Sequence, residues 1–258
     1  MNILVCIKQV ADSESPFTVA DDGSRLEFGP RVAYRINLYD EYALEEALLI
    51  AERNPGTKID AVSIGPDRVK DAVRRALSMG AAEGFHIPDD HPGNPSPLLK
   101  ARLIADFARQ RGYDLILAGV MSEDFGNCSV GPMTAELLGI PCATHVMSLA
   151  CDMDARKLNV EREIDSTTRH ALTLALPALV TVQSGINRPR YPSLTNVLRA
   201  KSQEIPSLPA AGLPDAVSSG ERRSLVVPPE TRRGTVLRAD RDAMAAELWR
   251  YLHSKSLI

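Results

Sequence analysis

Between the strand-like run Asp114-Leu115-Ile116-Leu117-Ala118-Gly119 and a helix opening near Gly131 lies Ser122-Glu123-Asp124-Phe125-Gly126-Asn127-Cys128-Ser129-Val130-Gly131-Pro132. Small residues here let a ligand approach the backbone closely, and the free N–H groups at a helix start hold anions. The chemistry this allows is phosphate binding. A plain strand-to-helix connection would have the same composition, and both readings stay open. The segment matches neither the Walker pattern nor GxGxxG. Three further strand ends are Cys6-Ile7-Lys8-Gln9-Val10, Ser63-Ile64-Gly65-Pro66 and Gly119-Val120-Met121. Ligands of open parallel sheets sit outside such carboxyl ends.

Conventional catalysis finds little support. The five histidines (His86, His91, His145, His170, His253) have no metal-ligand spacing with the four cysteines Cys6, Cys128, Cys142 and Cys151. No serine sits in a nucleophile elbow. Cys6, on an apolar run, reads as a packed thiol, and Cys128 as the cysteine to watch for ligand contact. Asp89-Asp90-His91, in a Pro/Gly-rich stretch, reads as solvated. Val160-Glu161-Arg162-Glu163-Ile164-Asp165 alternates, so a strand would set Glu161, Glu163 and Asp165 on one face and Arg162 on the other. Asn187-Arg188-Pro189-Arg190-Tyr191-Pro192-Ser193-Leu194-Thr195-Asn196 has neither strand nor helix period. It reads as a loop with an apolar tip and cationic flanks, suited to protein contact with Leu194 as anchor, or else as an inert surface loop.

These residues need a scaffold, and the composition provides one. Of 258 residues, 44% are hydrophobic and 24% charged, enough apolar material for a sizeable core. Thirty basic against 33 acidic residues leave a formal charge of -3, with no general attraction for nucleic acid or anionic membrane. No run approaches the roughly 18 apolar residues of a membrane span. Met1-Asn2-Ile3-Leu4-Val5 lacks the features of a secretory signal. The expectation is a cytoplasmic protein with reduced thiols, no nucleic-acid partner and no direct membrane insertion.

Strands are expected at Ile3–Val10, Ile59–Ile64, Gly84–Ile87 and Asp114–Gly119, with a small hairpin around Ala20-Asp21-Asp22-Gly23-Ser24. Helices are expected after Asn37, from Asp67 to Met79, from Pro97 to Arg111, and from Gly131 to Leu138. Acidic residues crowd the first turns after Asn37, where the helix dipole favours them. After Pro141, runs at His145–Ala150, Lys157–Ile164, Arg169–Ala175 and Ala178–Val182 read as strands adding antiparallel members. The fold class is α/β, a mostly parallel sheet with added antiparallel strands. Residues 1–204 form the main domain. Residues 205–258 read as an extended arm rich in proline and serine, ending in an amphipathic helix from Asp240 to His253 that docks on a partner chain.

The chain resembles the beta subunit of electron-transfer flavoproteins along nearly its whole length. The resemblance is carried by Ile3–Val10, Ile36-Asn37-Leu38-Tyr39-Asp40-Glu41-Tyr42-Ala43-Leu44-Glu45-Glu46-Ala47, Ala76-Leu77-Ser78-Met79-Gly80-Ala81 and Val130-Gly131-Pro132. It continues through Val160–Asp165, Leu176-Pro177-Ala178-Leu179-Val180-Thr181-Val182 and Asn187–Leu194. It implies a Rossmann-like fold of the adenine nucleotide alpha hydrolase type. It also implies a heterodimer with an alpha subunit that carries the redox-active FAD, with AMP or a second FAD on this subunit. The implied nucleotide contacts are Cys6, Asn37, Ile64 and, between Gly119 and Val130, Gly119, Val120, Met121, Ser122, Asp124, Asn127, Cys128, Ser129 and Val130. The implied recognition loop spans 187–197, with Arg190, Tyr191 and Leu194 meeting a flavin dehydrogenase such as an acyl-CoA dehydrogenase. Glu163 is implied to position the flavin domain. The chain departs from the family at Ser166-Thr167-Thr168-Arg169, where two glycines and an acidic residue are usual, and at Ser129, where glutamine is usual. The role implied is an electron carrier rather than a classical enzyme. The alternatives are an electron-bifurcating subunit whose own FAD takes hydride from NADH, and a non-redox adenine-nucleotide-binding regulatory module.

Overall fold

Short runs of Ile, Leu and Val, buried on both faces, set the centre of the structure. Ile3, Leu4, Val5, Leu115 and Leu117 have no exposed surface. The computed structural model describes residues 1–23, 25–89, 96–165, 167–208, 224–227, 234 and 236–257. They fall into two units, Met1–Ser224 and Leu225–Ile258.

The first unit begins with β1 (Asn2–Cys6), β2 (Gln9–Ala11), β3 (Phe17–Val19), β4 (Leu26–Phe28), β5 (Tyr34–Ile36) and α1 (Leu38–Arg53). Next come β6 (Lys58–Gly65), a 3₁₀ turn at Asp67–Val69, α2 (Lys70–Met79), β7 (Glu83–Pro88), α3 (Pro97–Arg111), β8 (Leu115–Gly119) and α4 (Val130–Leu138). Then follow β9 (Cys142–Asp152), β10 (Lys157–Glu163), β11 (Arg169–Ala175), β12 (Ala178–Val182) and α5 (Leu194–Ser202). The main sheet has the order β11-β10-β9-β12-β8-β1-β6-β7. From β9 to β7 all neighbours pair in parallel, and β10 and β11 extend one side antiparallel. Residues from α1, α2 and α5 join one hydrophobic cluster and residues from α3 and α4 the other, so helices cover both faces. Burying each such Leu, Ile or Val stabilises the fold by roughly 1.5–3 kcal/mol, which fixes the strand ends firmly.

Two expectations change. The runs after Pro141 are strands, but only β10 and β11 are antiparallel additions. β12 lies between β8 and β9, parallel to both, because a strand buried on both faces carries no direction in its composition. The run Ile3–Val10 is broken at Ile7-Lys8. There the Lys8 N–H leaves the sheet for the Asp40 carboxylate, and β2 pairs antiparallel with β5 instead. The hairpin around Gly23 is present as β3 and β4.

Beyond α5 the chain passes the β7 edge. The His86 N–H donates to the Pro206 carbonyl at 3.0 Å, and the Leu208 N–H to the His86 carbonyl at 2.8 Å. The second unit contains α6 (Arg241–Ser254), capped by the Asp240 carboxylate, which accepts from the N–H groups of Asp242 and Ala243. No described helix is long and apolar enough to cross a membrane.

Candidate functional site

The chain order reverses at β1: β6 and β7 lie on one side of it and β8 on the other. Such a switch opens a crevice at the strand carboxyl ends. The crevice is present, a cleft of about 520 Å³, within the ~300–1,000 Å³ usual for small-molecule sites. Its floor is held by Asp40, from the first turn of α1. One carboxylate oxygen accepts the Lys8 N–H at 2.8 Å, the other the Gly119 N–H at 3.0 Å, tying the end of β1 to the end of β8. The sequence gives Asp40 the look of a surface acid favoured by the helix dipole, but it is 6% exposed. Asp40 is also one of the site residues the motif reading missed, for which a buried position and two tertiary partners leave no local signal.

All twelve residues expected around a nucleotide line this one cleft: Cys6, Asn37, Ile64, Gly119, Val120, Met121, Ser122, Asp124, Asn127, Cys128, Ser129 and Val130. They do different things there. Asn37 is buried and committed to the protein: its amide donates to the Met121 carbonyl at 2.9 Å and accepts the Glu123 N–H at 3.0 Å. It therefore shapes the loop. The Cys6 thiol is pushed up to about 12 by burial and by Asp40, so it is inert packing. Asp124 faces Lys8 Nζ at 2.5 Å, Ser122 Oγ accepts from the same ammonium at 3.1 Å, and the Phe125 ring centroid lies 4.6 Å from it. Lys8 thus clips the 122–125 loop to the β1–β2 corner. Ser129 is the N-cap of α4 without a side-chain cap bond. The first N–H groups of a helix have no intrahelical acceptor, so those of Val130 and Gly131 can receive an anion in this wall of the cleft.

Five charged residues line the cleft beside Asp40: Lys8, Arg68, Asp89, Lys100 and Asp124. Of these, only Lys8 and Asp124 lie in strand-end segments singled out in the sequence; Arg68 lies just past Ser63–Pro66, and Lys100 lies within α3. Asp89, expected to be solvated, has a side chain only 4% exposed and pairs with Lys100; a tertiary partner on α3 removes it from water. Asp90 and His91 lie outside the described residues. Burial lowers the Lys100 pKa against the opposing pull of Asp89. Among the described residues, no three His, Cys, Asp or Glu side chains converge as a metal site.

The residues expected to meet partners lie elsewhere. Tyr191 is 91% and Leu194 75% exposed. Leu194 is not in an irregular loop, as expected, but opens α5. Ser193 Oγ caps that helix by accepting the Asn196 N–H, a Ser cap that the prolines before it obscured. Arg190 is turned inward, with Nε and Nη2 on the buried Glu45 at 2.8 to 3.1 Å and Nη1 on Glu52 at 2.5 Å. Asn187 Nδ2 donates to the Tyr42 carbonyl and to Glu46. These bonds root the 187–193 segment on α1. Glu163 ends β10 and accepts from Gln183 Nε2 at 3.5 Å. Arg162 crosses to the Thr144 carbonyl and hydroxyl.

Burial holds Asp40 up at about 7, against the two N–H groups and Lys8 that pull it down. An unfolded aspartate titrates near 3.9. Asp40 therefore contributes fully to stability below about pH 4, and that contribution is lost as pH rises to about 7. Urea unfolding across this window should show the wild type losing stability relative to Asp40→Asn as pH rises. A pH-independent difference between the two would refute this.

A doubly wound α/β protein with a ligand crevice at its switch point is the class that fold and site define. Comparison with known proteins narrows it. Residues 29–213 match the electron transfer flavoprotein domain. The chain is 31% identical over 268 residues to the electron transfer flavoprotein subunit beta of Bacillus subtilis, covering 100% of both chains. It is 34% identical over 248 residues to that of Mus musculus (95% and 96% covered), and 34% over 238 residues to the mitochondrial one of Arabidopsis thaliana (92% and 93%). The chain belongs to the electron transfer flavoprotein family, and the relatives it matches are beta subunits.

Proposed function

We propose that this chain is the beta subunit of a heterodimeric electron transfer flavoprotein. In this reading its switch-point cleft holds an adenine nucleotide, AMP or a second FAD, and an alpha subunit carries the redox-active FAD. The observation that carries the reading is the convergence of all twelve expected contact residues on one cleft, with the α4 N-terminus in its wall. The lining fits such a ligand: free helix N–H groups for a phosphate, small residues beside them, and apolar Ile64, Val120 and Leu179 for a ring.

A bound flavin supplies the electron-carrying chemistry, and the chain supplies holding, orientation and docking. Val130 and Gly131 would hold the phosphate, while Asn37 and Lys8 fix the loop around it. Tyr191 and Leu194 form the surface offered to a flavin dehydrogenase, Glu163 faces the flavin domain, the carboxy-terminal unit grips the alpha subunit, and the complex works in the cytoplasm. Acid release of nucleotide from the purified heterodimer tests the core of this. One FAD with one AMP identifies the simple carrier, and two FAD the form with its own flavin. A colourless preparation without an alpha-type partner sinks the proposal. Leu194→Ala should slow dehydrogenase-driven flavin reduction roughly 30-fold, as loss of an interface anchor does. Equal rates for that variant and wild type would take Leu194 out of docking.

A further inference from the structure

Among the described residues, three cationic side chains line the cleft, and they are not equivalent. Lys8 already faces Asp124, and Lys100 already faces Asp89. Arg68, on the 3₁₀ turn after β6, has no carboxylate partner among the described residues, yet its guanidinium is fixed. Nη1 donates to Gln9 Oε1, and Gln9 Nε2 donates back to the Arg68 carbonyl at 3.0 Å. The Tyr34 ring centroid lies 3.9 Å from the guanidinium carbon. Gln9 is itself 9% exposed and hence a firm support. A guanidinium offers five N–H donors in a planar fork, and it matches phosphate geometry better than an ammonium does. Gln9 takes one edge and Tyr34 one face, which leaves donors for a ligand.

The charge balance of the cleft gives these donors a purpose. The α4 N-terminus supplies about half a positive charge and suits one phosphate. Lys8 and Lys100 are neutralised within the protein. Arg68 is the lining cation without a carboxylate partner among the described residues, since Asp40 is engaged by the Lys8 and Gly119 N–H groups, and it follows β6, across β1 from β8 and α4. Two linked phosphates would be met from both walls, a single phosphate from one.

We infer that Arg68 makes the cleft selective for nucleotides carrying a diphosphate, as in ADP or the ADP half of a dinucleotide, over a nucleoside monophosphate. The inference rests on the nucleotide reading above and adds the ligand class that reading leaves open. The guanidinium takes the second phosphate through charge-assisted hydrogen bonds.

The test is equilibrium binding of AMP, ADP and FAD to the full chain in its purified complex, after removal of endogenous nucleotide, at fixed ionic strength. Wild type should prefer ADP and FAD to AMP. Arg68→Gln should lower the ADP-to-AMP affinity ratio roughly tenfold, the effect of losing a charge-assisted contact. Arg68→Lys, which keeps the charge without the fork, should fall between. Matching circular dichroism and melting temperature would show that each variant is folded. If wild type binds ADP and AMP equally, or Arg68→Gln weakens both alike, the role of Arg68 is overturned while the nucleotide site stands. If wild type binds none of the three, the nucleotide reading fails, and this inference with it.

Discussion

Replacing Gly119 by Ala lowers the stability of the first unit by about 3 kcal/mol, at the upper end of overpacking costs, and distorts the cleft. A Cβ at this position would lie 2.5 Å from Asp40 Oδ1, 2.6 Å from Tyr39 Cβ and 2.8 Å from the Tyr39 carbonyl carbon. None of these atoms is the end of a flexible side chain free to move, since Asp40 is anchored by the Lys8 N–H, and the Tyr39 Cβ and carbonyl carbon move only with the backbone. The first turn of α1 must therefore retreat from β8. With it goes the bond from the Gly119 N–H to Asp40 that closes the cleft floor. For a protein of this size the melting temperature should drop by about 10 °C. Gly112→Ala is the control: its φ of 67° is left-handed but nothing lies within 4 Å, so only backbone strain of about 1 kcal/mol applies. A Gly119→Ala protein melting within 2 °C of wild type would show that α1 does not press on β8 as described.

Replacing Arg190 by Met costs about 2 kcal/mol. That is below the roughly 3–5 kcal/mol of a fully buried pair, because the arginine side chain is 35% exposed while Glu45 is 5% exposed. The loss comes mainly from Glu45, whose buried charge keeps, among the described residues, only the Arg190 backbone N–H as a hydrogen-bond donor, at 3.1 Å. Adding Glu45→Gln to the variant removes that charge and should recover part of the loss, whereas an ordinary packing defect would deepen. Denaturant midpoints of the two variants decide between these. On the docking role proposed above, because Arg190 roots the segment that leads into α5, reduction by a dehydrogenase should fall in the single variant although Tyr191 and Leu194 are untouched.

Much of this was legible in the residues. Ser96-Pro97 and Gly112 bracket α3, and its bounds agree with the sequence reading, because start and stop signals act locally. The hairpin turn at Gly23 and the strand Leu115–Gly119 were equally plain. The direction of β12 was not, since Ala178–Val182 is apolar throughout and only its neighbours decide how it runs. The break at Lys8 was hidden for a related reason: its cause, Asp40, comes much later in the chain and reaches it only after α1 has packed. At the site, the loop from Ser122 to Val130 announced itself by small residues. Asp40, Arg68, Asp89 and Lys100 did not, because each owes its place to a partner on another element.

The late arrival of β12 bears on how the chain folds during synthesis. β8 and β9 both pair with a strand that begins only at Ala178, so a nascent chain ending before it presents two unpaired edges toward each other. Exposed edges of this kind recruit strands from other molecules. Long-range pairings are also slow to form, since the intervening loop must first be closed. The switch-point cleft is lined mainly by residues that precede this strand, and β12 completes it late through Leu179. A nonsense or frameshift product lacking that strand should therefore be prone to aggregation or proteolysis.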